Sequence, residues 1–186
     1  MLNIIQWKRK GPFTAVAGTA YKALLDPNPL MGRIIVTRLS ATVAGTAHTM
    51  TVMQVLSKHL LTANAAAGQK VIAVPDGSVF VQNDIIGIKM PNGRYELYTV
   101  NTIDTNNVTL YENLSAAVPA KTVVAFFGVP ADGHEQVALG ASASHTFESG
   151  EGYFGANEPG DPIVVHVNNA TAASTITAIN CPVIGV

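Results

Sequence analysis

Glu148, Glu151, Asn157, Glu158 and Asp161 fall within fourteen residues of a glycine-rich stretch, and four of the five are carboxylates. Flexible oxygen-rich loops suit hard cations such as Ca²⁺, which collect about six to eight such ligands. Two carboxylates flanking a sugar could instead run glycoside hydrolysis. The spacing lacks the central glycine and closing bidentate glutamate of an EF-hand. A solvated acidic loop, or an acidic surface that meets a basic partner, asks least of these residues and is the preferred reading.

Little else in the chain is arranged for chemistry. No Walker loop, Rossmann fingerprint, GxSxG elbow, HExxH or CxxC is present. The five histidines, His48, His59, His134, His145 and His166, never pair at metal-ligand spacing. No serine sits in a context that suggests a hydrolytic triad. Cys181, the single cysteine, lies in an apolar C-terminal pattern and reads as a buried, inert thiol. A non-enzyme is therefore expected, with no catalytic residue, no cofactor and no resident metal.

Trp7-Lys8-Arg9-Lys10 places an aromatic beside three bases. Three charges neutralise few phosphates, so a nucleic-acid partner is disfavoured. A docking arm fits better, with Phe13, Tyr21, Leu24, Leu25 and Leu30 as apolar anchors. The interface candidates are thus Trp7, Lys8, Arg9, Lys10 and Phe13 on the basic side, and Glu148, Glu151, Glu158 and Asp161 on the acidic side. Tyr153-Phe154 beside Glu151 and Asp161 is the one candidate for a lectin-like sugar site.

Charge is scarce and segregated. Of 186 residues, 12% are charged and 48% hydrophobic, with a net charge of −1. Residues 1–70 carry eight bases and one acid, whereas residues 131–186 carry six acids and no base. Such a distribution bears on association rather than on fold, and so sparse a charge poorly protects a surface against partners. No signal peptide precedes the basic cluster, and no apolar run reaches the roughly 18 residues of a membrane span. No membrane partner is expected.

The elements that must position these residues are strands. Residues 33–43 and 46–56 alternate apolar and polar around Ala44-Gly45 and read as a long hairpin. Residues 1–32 read as an arm, with Ala20–Leu25 as a single helical turn and Asp26-Pro27-Asn28-Pro29 as a break. Residues 58–70 read as a helical turn or a flexible connection. Between 70 and 128, short strands alternate with turns: Val71–Val74, Val79–Val81, Ile85–Met90, Tyr95–Ile103, Val108–Tyr111 and Val123–Val129. That spacing suggests a small β-barrel. Long strands return at Glu135–Leu139, Ala141–Phe147, Ile163–Val167 and Ser174–Val186. The expectation is an all-β chain: an antiparallel, jelly-roll-like β-sandwich from residues 33–57 and 130–186, a barrel at 70–128 inserted into it, and an extended N-terminal arm.

The run Phe80-x-x-x-Asp84-Ile85-Ile86-x-Ile88, then Asn92-Gly93, Tyr98-Thr99-Val100 and Val108-Thr109-Leu110-x-x-x-Leu114, resembles small barrel modules of tailed-bacteriophage structural proteins. Those carry Gly-Asp where this chain has Asn83-Asp84, and Asn can hold the same left-handed turn. The resemblance covers about a third of the chain. It implies a virion structural protein, foremost a capsid decoration (cement) protein, with a tail, neck or baseplate component or a carbohydrate-binding β-sandwich as alternatives. The implied partners are further copies of the chain, as a homotrimer, and the major capsid protein or another virion protein. The implied location is the capsid surface of a particle assembled in the bacterial host cytoplasm.

Overall fold

The computed structural model describes residues 5–10, 13–15, 21–25, 34–36, 38–44, 48–129, 136–139, 144–148, 154–155, 158, 160–168 and 174–185, with side chains at 24, 49–129, 158 and 160–166. Among the described residues the chain is all-β, with sixteen strands and a single 3-10 turn at Gly77–Val79. Every strand pair whose register is defined is antiparallel. The chain divides into two compact units, residues Met1–Gln54 with Val129–Val186, and residues Val55–Gly128.

The first unit holds two sheets. Strands β1 (Ile5–Lys10), β2 (Phe13–Ala15), β4 (Ile34–Val36), β5 (Arg38–Ala44), β13 (Ser144–Glu148), β14 (Phe154–Gly155) and β16 (Ser174–Gly185) form a seven-stranded sheet. Its centre is β16, which pairs with β1, β2, β4 and β5. In the second sheet β15 (Ile163–Asn168) lies between β3 (Tyr21–Leu25) and β6 (His48–Leu60), and β12 (Gln136–Leu139) pairs with β6. Ile163, Val164 and Val165 are all buried. Successive strand residues face opposite sides, so both faces of the sheet are covered there.

Two local expectations change here. Residues 33–56 do not form a hairpin: β5 pairs with β13 and β16, whereas β6 pairs with β12 and β15. Alternation tells which face a residue takes, not which strand becomes its neighbour. Within the segment read as an arm, β1 and β2 lie against β16, and Tyr21–Leu25 is a strand against β15 rather than a helical turn. The stretch is extended, and ladder hydrogen bonds hold it to its own chain.

The second unit is a closed barrel. The order is β6, β11 (Val123–Gly128), β8 (Ile85–Lys89), β9 (Tyr95–Asp104), β10 (Asn107–Leu110) and β7 (Val71–Ala73). Closure comes just past β6, where the Thr62 N–H donates to Ala73 O at 2.9 Å while the Leu61 N–H donates to Thr122 O at 2.9 Å. No edge is then left for stray pairing. Alternate residues fill the inside: Ile72 and Val74, Ile86 and Ile88, Tyr98 and Val100, Val108 and Leu110. A register shift between Thr109 and Leu110 bends β10 as closure requires. Leu61 and Ala65 join this core, and Ala65 bridges to Val118. Residues 61–65 are therefore barrel wall rather than a flexible link. Val79–Val81, expected as a strand, begins instead as the end of the 3-10 turn. Asp76 caps that turn, its Oδ1 accepting from the Ser78 N–H at 2.9 Å and the Ser78 hydroxyl at 2.6 Å.

Candidate functional site

The basic candidates lie in the seven-stranded sheet. Trp7, Lys8, Arg9 and Lys10 stand opposite Pro182, Cys181, Asn180 and Ile179 across the β1–β16 ladder, and Phe13 stands opposite Ile176. Glu148, at the end of β13 in the same sheet, is registered against Arg38. An acid of the C-terminal part and a base of the N-terminal part thus hold paired positions in one ladder.

The acidic cluster separates. Glu148 sits in one sheet, while residues 158–161 lead into β15 of the other. Glu151, Asn157 and Tyr153 lie outside the described residues. Glu158 is exposed, and its carbonyl accepts from the Asp161 N–H at 3.1 Å. Gly160, at φ +84°, supplies the left-handed residue that this tight turn needs. Asp161 is 2% exposed, so it belongs to the interior of its unit rather than to a solvated loop surface. Phe154 of the Tyr153-Phe154 pair is in β14, opposite Val36. Among the described residues no group of three or more His, Cys, Asp or Glu side chains could hold a metal ion.

The barrel carries polar clusters that spacing did not single out. Ser57 and His59, two residues apart on one face of β6, approach to 2.9 Å between Oγ and Nε2. The His59 ring meets Phe80 edge-on at 5.2 Å. A hydrolytic triad needs a carboxylate that holds the imidazole. The neighbouring Asp76 uses Oδ1 on Ser78, and those two hydrogen bonds, the hydroxyl's first, lower its pKa, with a smaller contribution from the charge of His59.

A second cluster closes the end of the core. The Tyr98 hydroxyl donates to Glu96 Oε2 at 2.9 Å and accepts from the Ser115 N–H at 3.3 Å, while the Ser115 hydroxyl donates to the same Glu96 oxygen. Burial raises the Tyr98 pKa, and the Ser115 N–H opposes that shift. On the neighbouring position of β9, Thr99 donates through N–H and Oγ1 to the two Glu112 oxygens, at 2.8 and 3.2 Å.

A third feature is exposed. Tyr111 is 45% exposed and accepts at its hydroxyl from Gln82 Nε2 at 3.2 Å. Val71 and Val81 are 40% and 63% exposed. The sequence carries no sign of this group, because Tyr111 and Gln82 come from different strand ends and meet only once the barrel has formed.

No known protein family and no curated protein matches the chain. Among solved structures, similar chains include VP17, a capsid protein of bacteriophage P23-77, at 10% identity with TM-score 0.21, covering 100% of this chain and 99% of that one. Infectious bursal disease virus, Gt strain, is similar at 15% identity with TM-score 0.12. The VP2 subviral particle of that virus is similar at 13% identity with TM-score 0.12. The chain spans 41% and 42% of the length of those last two. TM-scores of this size carry no argument about role.

Proposed function

We propose that the chain is a non-enzymatic structural protein of a bacteriophage particle, and within it a capsid decoration (cement) protein. The observation that carries this reading is a closed β-barrel inserted in the chain of a two-sheet β unit, in a protein with only 12% charged residues. Such surfaces associate readily. Copies join as homotrimers and bind the major capsid protein at the capsid surface, and many moderate contacts add up through avidity. Trp7–Lys10 takes part as a strand-borne basic patch, because its backbone is committed to β16.

Light scattering of the purified chain, combined with co-sedimentation on empty capsids, tests the proposal. Trimers that decorate the shell support it. A monomer that binds no capsid removes it. Imaging of labelled particles separates decoration from a tail, neck or baseplate place, since signal over the whole head excludes the latter.

A further inference from the structure

We propose that the outer wall of the barrel around Tyr111 is a binding subsite for a neutral saccharide. The inference goes beyond the structural role and does not depend on it. Tyr111 is the one exposed aromatic ring among the described side chains whose hydroxyl is fixed by a distant partner, Gln82, 29 positions away. A ring held in place loses little freedom when a ligand stacks on it. The hydroxyl accepts from Gln82 Nε2, so its proton remains a donor, and the Gln82 carbonyl oxygen remains an acceptor. Donor and acceptor side by side match the vicinal hydroxyls of a sugar, whose C–H face suits an aromatic ring.

The surroundings fit the same ligand. Val71 stands opposite Thr109 in the β10–β7 ladder, on the strand that leads to Tyr111. Val81 adjoins Gln82 and is the most exposed of the large apolar side chains. The Tyr111 N–H donates to Thr99 O at 2.9 Å, which fixes the backbone behind the ring. The barrel unit holds five Lys or Arg and five Asp or Glu, so no net field favours a charged ligand.

The test uses the full chain on an array of neutral and acidic oligosaccharides. Titration with maltohexaose, cellohexaose and a chitin hexamer follows, read by tyrosine proton shifts. A neutral oligosaccharide should bind with Kd on the order of 0.1–1 mM. Tyr111→Ala should weaken binding about tenfold or more, and Gln82→Ala a few-fold. Tyr111→Phe should retain the ring-face shifts while losing affinity a few-fold. Circular dichroism of each variant should match the wild type. Three outcomes overturn the proposal: no saccharide bound by the wild type, binding indifferent to Tyr111→Ala, or binding confined to acidic glycans. Self-association that Tyr111→Ala abolishes, with no saccharide effect, likewise overturns it and makes the surface a protein interface.

Discussion

Single side chains in the barrel set limits that can be measured. Gly77 opens the 3-10 turn directly against the β9–β10 connection. A β-carbon there would come within 2.2 Å of Thr105 O and 2.9 Å of Ile103 Cγ2. The obstacle is backbone, which cannot swing aside, so Gly77→Ala should cost about 2 kcal/mol or more. A lowered urea midpoint with unchanged slope checks this. Tyr98 governs the alkaline side. Burial holds its phenol neutral, with a pKa above the ordinary 10.0. The folded state therefore binds that proton more tightly than the unfolded chain does. The resulting stability is complete below about pH 10 and is lost as pH rises through the higher folded value. Tyr98→Phe should flatten this alkaline loss while costing about 1 kcal/mol at neutral pH through its missing hydrogen bonds. Urea midpoints at pH 8 and pH 11 compare the two. An equal alkaline loss in both proteins would exclude Tyr98 as the cause.

At the scale of elements, the turns carry the clearest record of the sequence. Asn83 adopts φ +73°, as its place before Asp84 suggested, and Asp84 Oδ2 accepts from the Val81 N–H at 2.7 Å. Gly93 at φ +81° closes the Asn92-Gly93 hairpin between β8 and β9. The β9–β10 turn is less well provided. Asp104 and Asn107 pair across it, and Thr105, a β-branched residue, is held at φ +51°. Such a conformation costs about 1–3 kcal/mol. Thr105→Gly should therefore stabilise the barrel by about 1 kcal/mol after glycine's added unfolded freedom is set against the relieved strain. A higher melting temperature verifies this, and a lower one would show the strain to be absent. Strands were legible where apolar, β-branched or alternating runs of five residues or more had turn residues at both ends, as at Ile85–Lys89, Tyr95–Asp104 and Ile163–Asn168, whereas the three-residue run Val79–Val81 was not a strand. Partners were not, because β5 and β6 alternate alike yet enter different sheets. The Tyr111–Gln82 group was hidden for a related reason: 29 positions separate residues that only ladder register brings together.

For the whole molecule, the division into units changes the meaning of the charge gradient. Along the chain, bases crowd the start and acids the end. By unit, the two-sheet part holds six Lys or Arg and seven Asp or Glu, and the barrel holds five of each. Folding gathers the two ends into one nearly neutral unit, in which Glu148 and Arg38 are paired in register. For the proposed assembly, what remains is the run of bases Lys8, Arg9 and Lys10 on β1. Changing all three to Gln should weaken oligomers or capsid binding, with the larger deficit at low salt, where screening is least. Sedimentation at 20 and 300 mM salt reads the effect, and an equal result at both would deny these bases a role. The barrel, in turn, should be separable. Its fifteen-residue buried cluster is drawn wholly from its own chain segment, and its wall closes through Thr62 and Ala73. Its two ends also lie together, since a β-carbon at Gly128 would fall 2.4 Å from Leu56 Cδ1. Adjacent ends allow an inserted domain to form without disturbing its host. A fragment of residues 55–128 is large enough to bury a core of its own, though with little margin. It should unfold cooperatively and give a dispersed amide spectrum. Replacing the same residues in the full chain with a short Gly-Ser bridge should leave the remaining unit folded. A collapsed spectrum from the isolated fragment would mean that the barrel's stability depends on its host, and that the inserted domain is not an independent folding unit.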